Sequence, residues 1–479
     1  TMDYLDPSWT ERNVYPFSWL FMKNNFRRYH DLYFAPRMTV TALALILALS
    51  VFLTARSLFG NTAAPIAAAL LCFNPEILAH APLMTADLMT TCFFFAAFLS
   101  FTRLLASPRP LITFSAGVFT GLALLSKFTA ALLFPLLILA LVLSLFSRGS
   151  AEKSPPRLTL VCHAAAALAV ALLILNLGYG SHRSCLPLAG SHWNSPLFSA
   201  LKNSPLGTVP LPVPRLYLHA FDTQLASADK KIFTYYLNGS LSREGWYSYY
   251  WVALLLKTPL PLLIAAAAAL ASSFRRGARL EEKLLWLPPA AFMITFTFFV
   301  RIDLGVRYLL PIVPFLALLG AGALARVAAR GRAAALAVTL LSLWYASSIF
   351  TTFGNGLAYF NELAGGPAGG SRFLLESNLD WGQNLVRLKK YLELNPSRPL
   401  LVYNYGLVPP SAYGIRDAGW VPCSRTPAVV AVSVNYLKGI DPFQGRPPEC
   451  FAWLAEMKPT ASLGAGLLVF DAREKNRKP

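Results

Sequence analysis

Thr85-Ala86-Asp87 stands between two long apolar stretches, residues 62–79 before it and 88–105 after it. A carboxylate at the mouth of a membrane helix is costly unless it faces water or a partner, which makes Asp87 a candidate functional group. The same residue, or Thr85, could instead accept the unpaired N–H groups of the following helix. Five cations, Arg37, Lys127, Lys257, Arg301 and Arg307, fall at the ends of apolar runs. Any one could snorkel to the interface. Five around one rim suit an anionic group, because phosphate needs fixed donors and positive charge. Pro259, Pro261, Pro311 and Pro314 break helices at the same level, freeing backbone groups that a partner or a wet cavity must satisfy. The stretch Ser377-Asn-Leu-Asp380-Trp381-Gly-Gln383 adds an aromatic face and an amide of the kind that hold sugars. Asp380 could equally cap the helix after it. Asn361, Glu362 and Asp303 complete the set of sugar or acceptor candidates, the two carboxylates read first as structural. His182, His192 and His219 lack the i, i+4 spacing of a helical metal site, so neither a metal nor a cofactor is expected.

These residues need elements to position them, and composition says which. The chain has 479 residues, 55% of them hydrophobic and 14% charged, where a soluble domain carries about 25% charged residues. A multispan membrane protein is expected. The net charge of +19 is scattered among apolar runs rather than gathered on one basic face, which excludes nucleic acid as a partner. Ten runs approach the ~20-residue spanning length: 38–55, 62–79, 88–105, 110–126, 128–147, 159–178, 249–271, 283–300, 308–325 and 333–352. Ser126-Lys127 and Pro135 separate the fourth from the fifth.

Alternate loops hold Arg56; Arg103 and Arg109; Arg148, Lys153 and Arg157; Arg275, Arg276, Arg279 and Lys283; and Arg326, Arg330 and Arg332. By the positive-inside rule that side is cytoplasmic. The organisation expected is an outer loop remnant at 1–36, membrane helices over 37–180, and an outer loop with short amphipathic helices over 181–248. Further membrane helices follow over 249–352, then a small extracytoplasmic α/β domain over 353–479. In that domain a helix at 383–395 and apolar runs at 399–405, 428–434 and 467–471 suggest a mainly parallel sheet. Cys423 and Cys450 could pair there only in an oxidising compartment. Asn238-Gly-Ser240 is a formal glycosylation acceptor of little weight.

Several stretches together resemble a known family. Phe73-Asn-Pro75-Glu-Ile-Leu-Ala-His80 with Thr85-Ala-Asp87 looks like the second outer-loop motif of bacterial relatives of the dolichyl-phosphate-mannose–protein mannosyltransferases. These are membrane enzymes of glycosyltransferase family 39 in the GT-C superfamily. Gly121–Lys127, Leu256–Pro261, Leu304–Pro311, Tyr359–Gly366 and Ser377–Gln383 resemble further stretches of it. The resemblance implies a polyprenyl-phosphate-linked monosaccharide as donor, a protein or glycolipid hydroxyl as acceptor, and inverting transfer on the outer face of the inner membrane. It also implies an acidic base just after the first span. That span and its motif do not precede residue 38 here. The chain reads as one that has lost its start, with the main base expected upstream of Thr1, and neither Asp3 nor Asp6 is assigned the role. Asp87 would then orient the acceptor or sugar, or share the base function, with Lys127 and Arg307 foremost on the phosphate. A flippase or transporter of a lipid-linked sugar is the alternative, weakened by the absence of a visible repeat. A non-catalytic scaffold is the third reading.

Overall fold

The structure, a computed structural model, describes residues 6–10, 14–146, 155–181, 184–229, 233–273, 280–300, 302–350, 352–396, 399–416, 418–419, 421–441 and 447–473. Two helices form its core. Ala86–Ala106 is largely buried, and the apolar window of Val306–Ala328 is wholly so. Their seam is aromatic: the Phe315 ring lies 6.5, 5.1 and 5.6 Å from the rings of Phe94, Phe95 and Phe98. Phenylalanines at i, i+1 and i+4 face one neighbour on a helix, and edge-to-face contacts add to the area they bury. Both helices start at the same end of the bundle, with Asp87 in the first turn of one and Arg307 in the first turn of the other.

Lys127 reaches that end by a different route. Pro110–Ser126 runs antiparallel to Ala86–Ala106 and packs on Arg157–Gly178 through Gly117 and Gly121. A Cβ at Gly117 would lie 2.5 Å from the Cβ of Val170, and one at Gly121 2.6 Å from that of Ile174. Small residues four apart let two helix backbones approach closely where lipid offers no hydrophobic drive. The helix then stops at the expected break. Lys127 is extended (φ −162°, ψ 145°), and the chain resumes as a 3₁₀ turn, Phe128–Leu132, before Leu133–Phe146.

The chain is a multi-pass membrane protein, but the expected ten spans are corrected. Among the described residues six helices are long and apolar enough to cross a membrane, or seven if one bent pair counts as a span. Run 62–79 is two short helices, Ala63–Cys72 and Pro75–His80, because Asn74 caps the second, accepting from the N–H groups of Glu76 and Ile77. Run 249–271 bends by 113° between Tyr249–Lys257 and Leu260–Ser273, at Thr258-Pro259. Run 283–300 divides into Leu280–Leu284, Leu287–Ile294 and a π turn, Thr295–Phe299. An apolar count does not register such breaks; proline and capping asparagine make them. At the other end the first long helix begins at Tyr29, so residues 29–36 are helical rather than loop. The rest of the expected outer loop remnant also departs from a loop where it is described, with Val14–Asn25 helical; Thr1 and the residues up to Leu5 lie outside the described residues.

At the ends away from Asp87, Arg56, Arg326 and Arg330 line a cleft of about 950 Å³. Arg148, Lys153, Arg275, Arg276 and Arg279 lie outside the described residues. The stretch 181–248 holds the short helices Pro196–Lys202 and Arg215–Asp229 and a hairpin, Tyr235–Leu237 with Ser240–Ser242. Asn238-Gly239 is the tight turn of that hairpin, both residues at positive φ.

The C-terminal region is an α/β unit with a five-stranded sheet in the order Ala418–Gly419, Leu400–Tyr403, Val429–Ser433, Leu467–Asp471, Ala461–Leu463. The first three strands are parallel and the last two pair antiparallel, so the sheet is mixed where a mainly parallel one is expected. The short connection between the last two strands allows only a hairpin at that edge. Cys423 and Cys450 are joined by a disulfide.

Replacing Gly121 by Leu should force apart the helices that carry Lys127. Overpacking of this kind costs about 1–3 kcal/mol, so the thermal midpoint in detergent should fall clearly below that of the unaltered chain. A variant that melts like the parent would show that this close approach matters little.

Candidate functional site

Asp87 is only 3% exposed. Lys127 Nζ donates to its Oδ1 at 2.5 Å, and Arg307 Nη1 stands 3.8 Å from its Oδ2. One carboxylate thus holds two cations from two other segments. Tyr308 backs both: Lys127 Nζ lies 4.0 Å and the Arg307 guanidinium 5.3 Å from its ring centre. On its other side the guanidinium stacks 4.5 Å from the Trp381 ring centre, so a residue of the C-terminal region closes a site built by membrane helices. Gly382 makes that possible. Its φ of +82° and the 2.7 Å that would separate a Cβ from the Tyr405 carbonyl leave room for no other residue.

The carboxylate is well matched; the groups around it are not. Arg307 Nε, Thr85 Oγ1 and His80 Nε2 are buried without a hydrogen-bond partner. Native interiors leave few such atoms, and three around one charge cluster mark a place built for a polar ligand. Beside it an apolar cavity of about 700 Å³ is walled by Phe128, Leu132, Leu225, Phe296 and Phe299. Phe128 follows Lys127 in the chain, and the Phe296 ring packs 5.6 Å from that of Tyr308.

Several sequence candidates have other work. Lys257 is fully buried, pairs with Glu76 Oε1 at 2.9 Å, and donates to the carbonyls of Leu357 and Asn378 at 2.7 and 2.8 Å. It ties the short helix Pro75–His80 to the C-terminal region instead of joining the Asp87 cluster. Arg37 donates to the Tyr29 hydroxyl at 2.8 Å and stacks on Tyr29 and Tyr33. Arg301 and His182 lie outside the described residues. Of the four cations that are described, Lys127 and Arg307 meet at Asp87. Thr1, ahead of which the main base is expected, and Asp3 also lie outside the described residues. Within them, the carboxylate that meets both cations is Asp87.

Of the sugar candidates, Trp381 touches the cluster, through the Arg307 guanidinium. Asp380 is buried, accepting from the Ser433 hydroxyl at 2.6 Å, the Gly382 N–H at 3.1 Å and Asn384 at 3.3 Å. Gln383 bridges the Trp381 N–H and the Leu379 carbonyl. Asn361 donates to the carbonyls of Leu255 and Thr258, satisfying the bend at Pro259. Glu362 accepts from the Trp344 indole, and Asp303 from the Trp246 N–H at 2.7 Å. Each side chain buttresses the loops that frame the site.

Sequence reasoning gave no role to Glu76, His80, Tyr308 or Glu376. Glu376 sits at φ +62°, a strained conformation for a non-glycine residue, and accepts from the Tyr405 hydroxyl at 3.2 Å. The signal for Glu76 and His80 was their i, i+4 spacing just before Asp87; for Glu376 it was its place next to Ser377. Asp31, a further acidic residue ahead of the first apolar run, is exposed on the first long helix.

Residues 26–175 match the family model described as dolichyl-phosphate-mannose-protein mannosyltransferase. The resemblance read from the motifs is borne out over that stretch, which contains Asp87 and Lys127. No curated protein sequence matches the chain. Two crystal structures of ArnT from Cupriavidus metallidurans align with it. One, bound to undecaprenyl phosphate, has 16% identity and a TM-score of 0.42, over 91% of this chain and 83% of that one. The other, in the apo state, has 15% identity and a TM-score of 0.36, over 90% and 82%.

Burial pushes the Asp380 carboxyl up to about 6, against the pull of its hydrogen bonds from Ser433, Gly382 and Asn384. The folded chain therefore keeps a proton that the unfolded chain releases. The associated stability is full below about pH 4 and is withdrawn as pH rises through about 6. Relative to the parent, Asp380→Asn should gain stability from pH 4 to pH 7, by up to about 3 kcal/mol at ~1.4 kcal/mol per pKa unit. Parallel melting curves across that range would remove Asp380 from the pH response.

Proposed function

We propose that the chain is an inverting glycosyltransferase that moves a monosaccharide from a polyprenyl-phosphate donor to a hydroxyl acceptor at the extracytoplasmic face. The observation that carries this reading is the convergence of Lys127 and Arg307 on Asp87 beside an apolar cavity. A lipid phosphate needs both halves: fixed cations for its oxygens and an apolar trough for its chain. The family description matched by residues 26–175 names a donor of that class. The outer-face assignment rests on the basic residues at the opposite helix ends and on the Cys423–Cys450 disulfide, which belongs to an oxidising compartment.

In this mechanism the acceptor oxygen attacks the anomeric carbon, its proton leaves to a base, and the bond from that carbon to the phosphate oxygen breaks. The electron pair ends on the lipid phosphate. Lys127 and Arg307 lie where that charge develops, in a site whose low dielectric strengthens them. They are free to turn to phosphate only as they loosen from Asp87, which leaves Asp87 able to hold a hydroxyl of sugar or acceptor. Trp381 keeps the guanidinium plane fixed meanwhile. A monophosphate bears less charge than a nucleotide diphosphate, and two cations suffice to balance it.

The test is release of free polyprenyl phosphate and labelled sugar from polyprenyl-phosphate donors in detergent, where a flippase would show nothing. Asp87→Asn and Lys127→Ala should each reduce turnover roughly 100-fold or more, the scale for losing one charge-stabilising group. Arg307→Lys should also fail, since it keeps the charge but loses the planar fork and the stacking on Trp381. Full turnover in Asp87→Asn would remove that residue from the mechanism.

A further inference from the structure

His80 is 1% exposed and has a fixed tautomer. Its Nδ1 lies 2.9 Å from the Glu76 carbonyl oxygen, which can only accept, so Nδ1 carries the hydrogen and Nε2 is left as a lone pair. That Nε2 is among the buried atoms without a partner. A histidine kept for packing would have it satisfied, since an unpaired buried acceptor forfeits the hydrogen bond it made to water. The ring meets the Trp381 ring edge to face at 6.4 Å, and the Arg307 guanidinium lies 4.5 Å from the centre of that indole. His80, Trp381, Arg307 and Asp87 are therefore contiguous. Glu76 faces the imidazole from its own helix, while Asp87 and Arg307 act on it from the two core helices, but burial dominates and holds the ring below the usual histidine range. At neutral pH it is an acceptor. Lys257 holds Glu76, and so fixes the short helix that aims the ring.

We propose that His80 Nε2 and the adjoining Trp381 ring form the subsite for the transferred sugar, Nε2 accepting a hydrogen bond from one of its hydroxyls. The inference rests on the reading of Lys127 and Arg307 as the phosphate-binding pair. A sugar joined to that phosphate extends one ring-width from the guanidinium, across the indole, to the imidazole. The subsite takes a hydroxyl-bearing, uncharged edge of the sugar: an ammonium there would also find the lone pair but would stand beside the Arg307 cation. His80 thus reads the sugar, whereas Lys127 and Arg307 read what every such lipid shares.

The full chain in detergent separates the two. Binding of undecaprenyl phosphate is measured against a panel of hexosyl- and pentosyl-phosphoryl-undecaprenols, and the ratio of affinities is the gain due to the sugar. In the parent at least one sugar should give a gain of about tenfold, the scale of one well-placed hydrogen bond. In His80→Phe that gain should vanish while the affinity for undecaprenyl phosphate stays as in the parent; His80→Gln, whose amide oxygen can accept, should keep most of it. An undiminished gain in His80→Phe, or no gain with any sugar in the parent, overturns the subsite alone. Failure of the parent to bind undecaprenyl phosphate at all overturns the subsite together with the phosphate site beneath it.

Discussion

A carboxylate has been taken out of water at the start of a core helix, and the rest of the molecule is arranged to keep it ionised. Desolvating one such charge costs several kcal/mol even after relaxation, and one good ion pair barely offsets that. Asp87 therefore has two cations, and each must be brought by a separate segment: Lys127 by the break between two helices, Arg307 by the first turn of the most buried one. The requirement accounts for how closely the core seam is packed. Interlocking phenylalanines fix the spacing of the helices that bear Asp87 and Arg307, and the glycine contact of Pro110–Ser126 fixes the height at which Lys127 emerges.

A second buried pair repeats the arrangement a few residues upstream with a different result. There Lys257 is fully engaged, using two backbone carbonyls besides the Glu76 carboxylate. Around Asp87 the partners have donors and acceptors to spare. Closed networks stiffen a fold, while open ones wait for something. The contrast between the cations, Lys257 with its donors placed and Arg307 with Nε to spare, separates structure from site better than residue type does.

This is also why the sequence was legible in outline and misleading in detail. Apolar runs located the helices, and the charge bias separated the two ends. Asp87, Lys127 and Arg307 stood out because each is a charge at the margin of an apolar run. Lys257 looked the same and is a buttress, since nothing in a linear pattern says whether a cation will find its partner complete. Asp380, Gln383 and Asn361 sit in stretches rich in sugar-binding residue types, yet all turn inward to satisfy bends and loop ends. His80 was hidden for the opposite reason. A single histidine in an apolar segment is ordinary until its hydrogen-bond accounting is known, and that accounting exists only in three dimensions.

The C-terminal region is part of the site rather than an attachment to it. Asn378 accepts from the Val306 N–H at 2.9 Å with its side-chain oxygen, donates to the Tyr249 hydroxyl at 2.9 Å, and offers its carbonyl to Lys257. One residue thus fastens the loop to three membrane segments, including the residue just before Arg307. A little further on, Gly382 turns the chain so that Trp381 lies flat on the guanidinium. Asp380 secures the same loop from behind, through Ser433, to the sheet. The sheet strand that bears Ser433 is thus linked through this loop to the cation beside Asp87. On the reading proposed above, the apolar cavity next to Lys127 is where the chain of a lipid-borne substrate would lie.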